Sequence, residues 1–205
     1  MIRTIVRICT HFFDIILPPR RTERIVRALS NEALQSLATH SGTLPYHEPS
    51  ITALVWELKY RKNSEALRLA GTFLAEGAMA IAEESLSKPV LVPVPMHHTR
   101  RKARGYNQTE ALCEAILTAA PNMCAYAPNA LVRVRNTIPQ QGLPKHRRLK
   151  NMLGAIETRD SGEVAGKICI VVDDVSTTGA TAHETKRALL EAGAKEVHIL
   201  TLANS

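Results

Sequence analysis

Residues 168–181 constrain this chain more than any other stretch. Ile168-Cys169-Ile170-Val171-Val172 is an apolar, largely β-branched run of strand length, and it delivers two adjacent carboxylates, Asp173 and Asp174, at its C-terminal end. A turn of small hydroxyl residues follows, Ser176-Thr177-Thr178, and then Gly179, Ala180 and Thr181 lead into a helix. Open α/β sheets bind ligands outside the carboxyl ends of their strands. Backbone N–H groups of such a turn, its hydroxyls and the positive end of a helix attract an anion, so Thr177, Thr178, Gly179, Ala180 and Thr181 read as a phosphate cradle. Carboxylates for sugar hydroxyls, a few residues from a phosphate seat, suit a ribose 5-phosphate.

The surrounding pattern agrees with an α/β sheet. After Pro89, residues 90–95, 131–134, 167–174 and 196–202 read as short apolar strands, separated by helices. Asn107 with Glu110 opens one helix, and Thr181 with Glu184 forms the capping box of another that Gly193 ends. Residues 1–88 read as helical, with a stop at Pro18-Pro19 and with Ser50 and Ser64 as N-caps. Trp56, at helix spacing from Thr52 and Tyr60, reads as packing. The division expected is a helical N-terminal extension over 1–50 and an α/β domain over 51–205. Gly162 to Ile168 fails as an NTPase phosphate loop because Ile168 stands where a Ser or Thr hydroxyl is required, and it reads as the turn before a strand.

Lys and Arg number 26 against 19 Asp and Glu, a formal charge of +7 that calls for an anionic partner: a phosphorylated metabolite, a nucleic acid or a membrane surface. Three Phe, four Tyr and one Trp are poor provision for base-stacking platforms, which favours the small phosphate. Cys9, Cys113, Cys124 and Cys169 show no metal-binding spacing and read as reduced, mostly buried thiols. His11 and Asp14 break the N-terminal apolar run, and Pro121, Asn122, Pro128 and Asn129 interrupt the longest uncharged stretch. No membrane insertion and a cytoplasmic location are expected.

Residues 171–181, VVDDVSTTGAT, resemble the phosphoribosyl pyrophosphate (PRPP) signature of type I phosphoribosyltransferases. Val92-Pro93-Val94-Pro95 with Arg104-Gly105-Tyr106-Asn107-Gln108 resembles a stretch of the ComF (competence protein) family. Thr137, Gln140, Leu143, Arg148, Asn151 and Gly154-Ala155 fall at that family's spacing, and Leu58-Lys59-Tyr60 is similar to its LKY segment. The resemblance implies a type I phosphoribosyltransferase-like parallel sheet flanked by helices. It implies that Asp173 and Asp174 hold the ribose hydroxyls and that residues 177–181 hold the 5′-phosphate. His97, His98, Arg100 and Arg104 would line a pyrophosphate loop. Thr137 and Gln140 would belong to a flexible loop, and Arg148, Lys102 and Arg101 would supply the catalytic cations. Mg²⁺ would come bridged by the substrate, with Asp173 and Asp174 reaching it at most through substrate or water. Family members commonly begin with a cysteine-rich zinc module; the first 50 residues here hold only Cys9, so no zinc is expected. The activity implied is transfer of ribose 5-phosphate from PRPP to a nitrogenous acceptor. The alternatives are a role in DNA uptake through binding of nucleic acid, single-stranded DNA included, and a PRPP or nucleotide sensor without turnover.

Overall fold

The computed structural model describes residues 19–85, 87–137 and 151–205. The helix expected over the first sixteen residues lies outside them. Five strands form one parallel sheet: β1 (Leu44–Pro45), β2 (Val90–Pro93), β3 (Ala125–Tyr126), β6 (Ile168–Ser176) and β7 (Glu196–Asn204), in the order β1-β7-β6-β2-β3. Two further strands, β4 (Leu131–Arg133) and β5 (Ile156–Thr158), pair antiparallel with each other. The helices are α1 (Pro19–Arg27), α2 (Asn31–Leu37), α3 (Pro49–Tyr60), α4 (Ser64–Glu83), α5 (His98–Arg104), α6 (Gln108–Ala119) and α7 (Ala180–Glu191).

The continuous apolar runs of β2 and β6 are explained by burial on both faces, and side-chain alternation divides them between two cores. Leu91, Ile170, Val172 and Leu202 pack with the helices of residues 19–119, on Leu54, Leu58, Leu74 and Ile116. Val90, Val92, Cys169 and Val171 face the other way, onto Leu131, Ile156 and Leu189. The N-terminal helices share the first core through Val26 and Leu34, and β1 adds a strand beside β7. Thr22 Oγ1 of α1 donates to the buried Glu57 of α3 at 2.6 Å, and Asn63 Nδ2 donates to the same carboxylate at 3.1 Å. Gly71 of α4 lies so close to α6 that a Cβ there would stand 2.5 Å from Ala115 Cβ. Among the described residues, no helix is long and apolar enough to cross a membrane, and Cys113, Cys124 and Cys169 are buried free thiols.

Several local expectations are corrected. Residues 131–134 do not join the main sheet; their first three residues form β4, which pairs with β5. Ser50 is no cap, because α3 starts a residue earlier with Pro49, whose fixed φ suits a first turn. Ser64 lies inside α4, and Asn63 caps it by accepting from the amides of Glu65 and Ala66. The Thr181–Glu184 box does not form: Gly179 occupies the cap, and Glu184 instead accepts from the Gly154 amide at 2.7 Å and pairs with Arg187.

Candidate functional site

β2 and β6 run side by side with Pro93 opposite Val172, so the segments that leave them meet at one edge of the sheet. His97 and α5 follow β2; the acid pair, the hydroxyl turn and α7 follow β6. The two segments singled out in the sequence therefore form one site.

The strand continues through the acid pair to Ser176, and alternation sends the two carboxylates to opposite faces. Asp174 lies on the face of Ile170 and Val172. Its Oδ2 accepts from Gln108 Nε2 of α6 at 3.0 Å and stands 3.3 Å from Lys59 Nζ of α3, while its Oδ1 accepts from the Val175 amide at 2.7 Å. Asp173, on the other face, accepts from the Asp174 amide at 2.9 Å and borders the hydroxyl turn. Burial and then the Asp174 charge push the Asp173 carboxyl up to about 7, against the opposing Asp174 amide and Lys59. Burial works against the Lys59 charge, but Asp174, Tyr46 and Asp173 together outweigh it and leave that ammonium above its ordinary range.

The turn borders a small recess. Gly179 sits at φ +70°, a conformation that favours glycine, and places α7 with its N-terminus toward the recess lined by Asp173, Ser176, Thr177, Gly179, Ala180 and Thr181. Between the recess residues Thr177 and Gly179 in sequence, Thr178 has its Oγ1 buried with no hydrogen-bond partner among the described residues. An orphaned buried hydroxyl costs stability unless a ligand completes it.

The basic segment is a helix where a loop was expected. His97 Nδ1 accepts from the Thr99 amide at its start, and Gly105 at φ +85° ends it after seven residues. Its cations have separate destinations. Arg101 makes a bidentate pair with Glu110 at 2.6 and 2.8 Å, and Arg104 donates to Gln108 Oε1 at 2.8 Å. Lys102 is exposed. Arg100 donates to the Thr137 carbonyl at 2.7 Å, and Thr137 Oγ1 in turn accepts from Arg133 of β4. Arg133 was not singled out by sequence. Its Nε is buried without a partner among the described residues, and burial, then the neighbouring Arg100 charge, lower its pKa to about 10. His97 and His98 stack at 4.1 Å, and the His97 imidazole is shifted down by burial, then by His98, Arg133 and Arg100. Gln140 and Arg148 lie outside the described residues.

Residues 116–205 match the phosphoribosyl transferase domain family. The chain is 35% identical over 161 residues to the DNA utilization protein YhgH of Salmonella typhimurium, covering 78% of this chain and 69% of that protein. It is 33% identical over 118 residues to competence protein F of Haemophilus influenzae, covering 56% of this chain and 50% of that one. The chain belongs to the ComF family of phosphoribosyltransferase-like proteins. Among solved structures, the glutamine PRPP amidotransferase of B. subtilis superposes with a TM-score of 0.42 at 22% identity, covering 71% of this chain and 30% of that enzyme.

In this ComF-family protein three aromatic residues, Trp56, Tyr60 and Tyr106, lie against cations of α5 and the end of α3, which the composition alone did not suggest. Trp56 and Tyr60 lie 5.5 Å apart, with Arg61 over Trp56 at 5.4 Å and Arg104 over Tyr60 at 5.2 Å; Lys62 stands 5.8 Å from the Tyr106 ring. Trp56 is thus part of a ring-and-cation row rather than plain packing. Among the described residues no group of three or more His, Cys, Asp or Glu side chains could hold a metal ion. Asp174 already serves Gln108, Lys59 and the Val175 amide.

Proposed function

We propose that the protein is a phosphoribosyltransferase that takes magnesium-bound PRPP, transfers its ribose 5-phosphate to a nitrogenous acceptor and releases pyrophosphate. The observation that carries the reading is the unpartnered Thr178 hydroxyl, buried at the start of α7 and a few residues from the acid pair. A phosphate oxygen completes that hydroxyl, while Asp173 and Asp174 accept from ribose hydroxyls. Magnesium arrives with the substrate and offsets pyrophosphate charge. The chain's own provision for the leaving group is Arg100 and Arg133, two partly covered guanidiniums with no carboxylate partner among the described residues. Lys102, and Arg148 from the segment between β4 and β5, add positive charge. Arg101 and Arg104 are held by Glu110 and Gln108 and have the weaker claim.

The test is calorimetric titration of PRPP with and without Mg²⁺, beside the Asp173→Asn/Asp174→Asn double variant, followed by pyrophosphate release with a panel of acceptors. Binding lost in the variant and pyrophosphate released with one acceptor support the enzyme; binding without release supports a sensor. No binding to the folded protein overturns both.

A second reading has its own observation. The row Arg61-Trp56-Tyr60-Arg104 offers rings for bases and cations for phosphates, and relatives carry the names DNA utilization protein and competence protein F. Trp56 is the single tryptophan of the chain, so quenching of its emission by single-stranded DNA, weakening with salt, tests this reading directly.

A further inference from the structure

The face of β6 that carries Asp174 is supplied with a cation by an element far away in sequence. Lys59 comes from the last turn of α3 and is mostly covered, its side chain retaining 23% of its exposure, with Nζ 3.3 Å from Asp174 Oδ2. The end of α3 is fixed on several sides. Tyr106 O–H donates to the Leu58 carbonyl and accepts from the Lys62 amide, while Thr22 and Asn63 both hold Glu57. The same Asp174 oxygen accepts from Gln108, so two donors from two helices fix the carboxylate. Two adjacent buried acids facing an incoming polyanion would repel it, and a cation beside them offsets that repulsion. Burial opposes the Lys59 charge, and Asp174, Tyr46 and Asp173 together sustain it.

We propose that Lys59 is a positioning residue for ribose recognition: its ammonium, with the Gln108 amide, holds the Asp174 carboxyl aimed so that it can accept from a sugar hydroxyl. The inference rests on the ribose-binding reading of the acid pair. Lys59 acts through Asp174 and need not touch the substrate.

The experiment compares binding of ribose 5-phosphate and 2-deoxyribose 5-phosphate to the full chain by calorimetry, in the native protein and in Lys59→Met and Lys59→Arg. A hydroxyl donated to a charged acceptor gives the native protein a preference of about tenfold or more for ribose 5-phosphate. Lys59→Met is expected to lose that preference while still binding through the phosphate, and Lys59→Arg, which keeps the charge, is expected to retain most of it. A general structural defect would weaken both sugars alike and leave the ratio unchanged. An unchanged ratio in Lys59→Met, or equal loss in Met and Arg, overturns the role of Lys59 while the ribose reading stands. Absence of any preference in the native protein overturns the ribose reading and this inference with it. Should Lys59→Met not fold, Lys59→Gln, which keeps a donor to Asp174 without the charge, is judged by the same ratio.

Discussion

Thr178 is where the requirements of stability and of binding part most clearly. Its hydroxyl is buried without a partner among the described residues, at the mouth of a helix whose preceding residue, Gly179, adopts a left-handed conformation. Valine has the same shape and no polar atom to satisfy. Thr178→Val is therefore expected to raise the stability of the ligand-free protein by about 1 kcal/mol, since an unsatisfied buried hydroxyl costs roughly 1–3 kcal/mol. It is expected to weaken ribose 5-phosphate binding at the same time. Thermal unfolding beside calorimetry checks both; a destabilised variant would show that the hydroxyl has a partner within the protein. The acid pair and the hydroxyl turn stood out in the sequence because each residue type carries its own chemistry at fixed spacing. Arg133 was not, because an arginine in a three-residue strand carries no local signal. Its significance comes from Arg100 and Thr137, which the fold brings beside it.

At the scale of elements, the longest apolar runs declared themselves and the shortest did not. β6 and β7 each span nine residues, and their apolar segments were evident in the sequence, whereas β1 and β3 are two residues long, too short for any period to register. Their places are set by what they pair with: β1 extends the sheet beside β7, and β3 beside β2. Caps erred by a residue or so for a related reason, since Asn63 and Ser64 are both competent and the geometry of the chain entering α4 chooses between them. The contact between α4 and α6 was also invisible, because a glycine within a helix reads as a weakness until its neighbour is known. Gly71 lets Ala115 approach, and an added Cβ would lie 2.8 Å from the Ala115 carbonyl carbon. Gly71→Ala would gain helix propensity in isolation, yet overpacking against backbone costs about 1–3 kcal/mol and wins. Urea unfolding of the variant is expected to show a lower midpoint with an unchanged slope; a raised midpoint would mean that the helices part without cost.

The molecule as a whole concentrates opposing charges at one edge of a sheet that two cores otherwise bury. Asp174 meets Lys59 from the first helical layer, while Asp173, on the other face, and Arg133 of β4 act on each other through their charges. Such a site costs the ligand-free fold something, and the cost depends on pH. The Asp173 carboxyl is raised from 3.8 to about 7 by burial, then by the Asp174 charge, so the folded state holds a proton that the unfolded chain has already released. Where the folded state binds more protons, stability falls as pH rises. Below about 4 the group is protonated in both states and contributes no difference; between about 4 and about 7 stability is lost progressively; above about 7 both states are ionised and the loss is complete. Asp173→Asn keeps the shape and removes this titration. Its melting temperature relative to the native protein is accordingly expected to climb across that window and to level off above it. The paired comparison matters because Glu184, which Arg187 and the Gly154 amide hold below its ordinary range despite burial, contributes the opposite slope and is common to both proteins. A difference that stayed constant from acid to neutral pH would mean that Asp173 ionises as readily in the fold as in the open chain. The edge of the sheet would then be better solvated than its burial suggests.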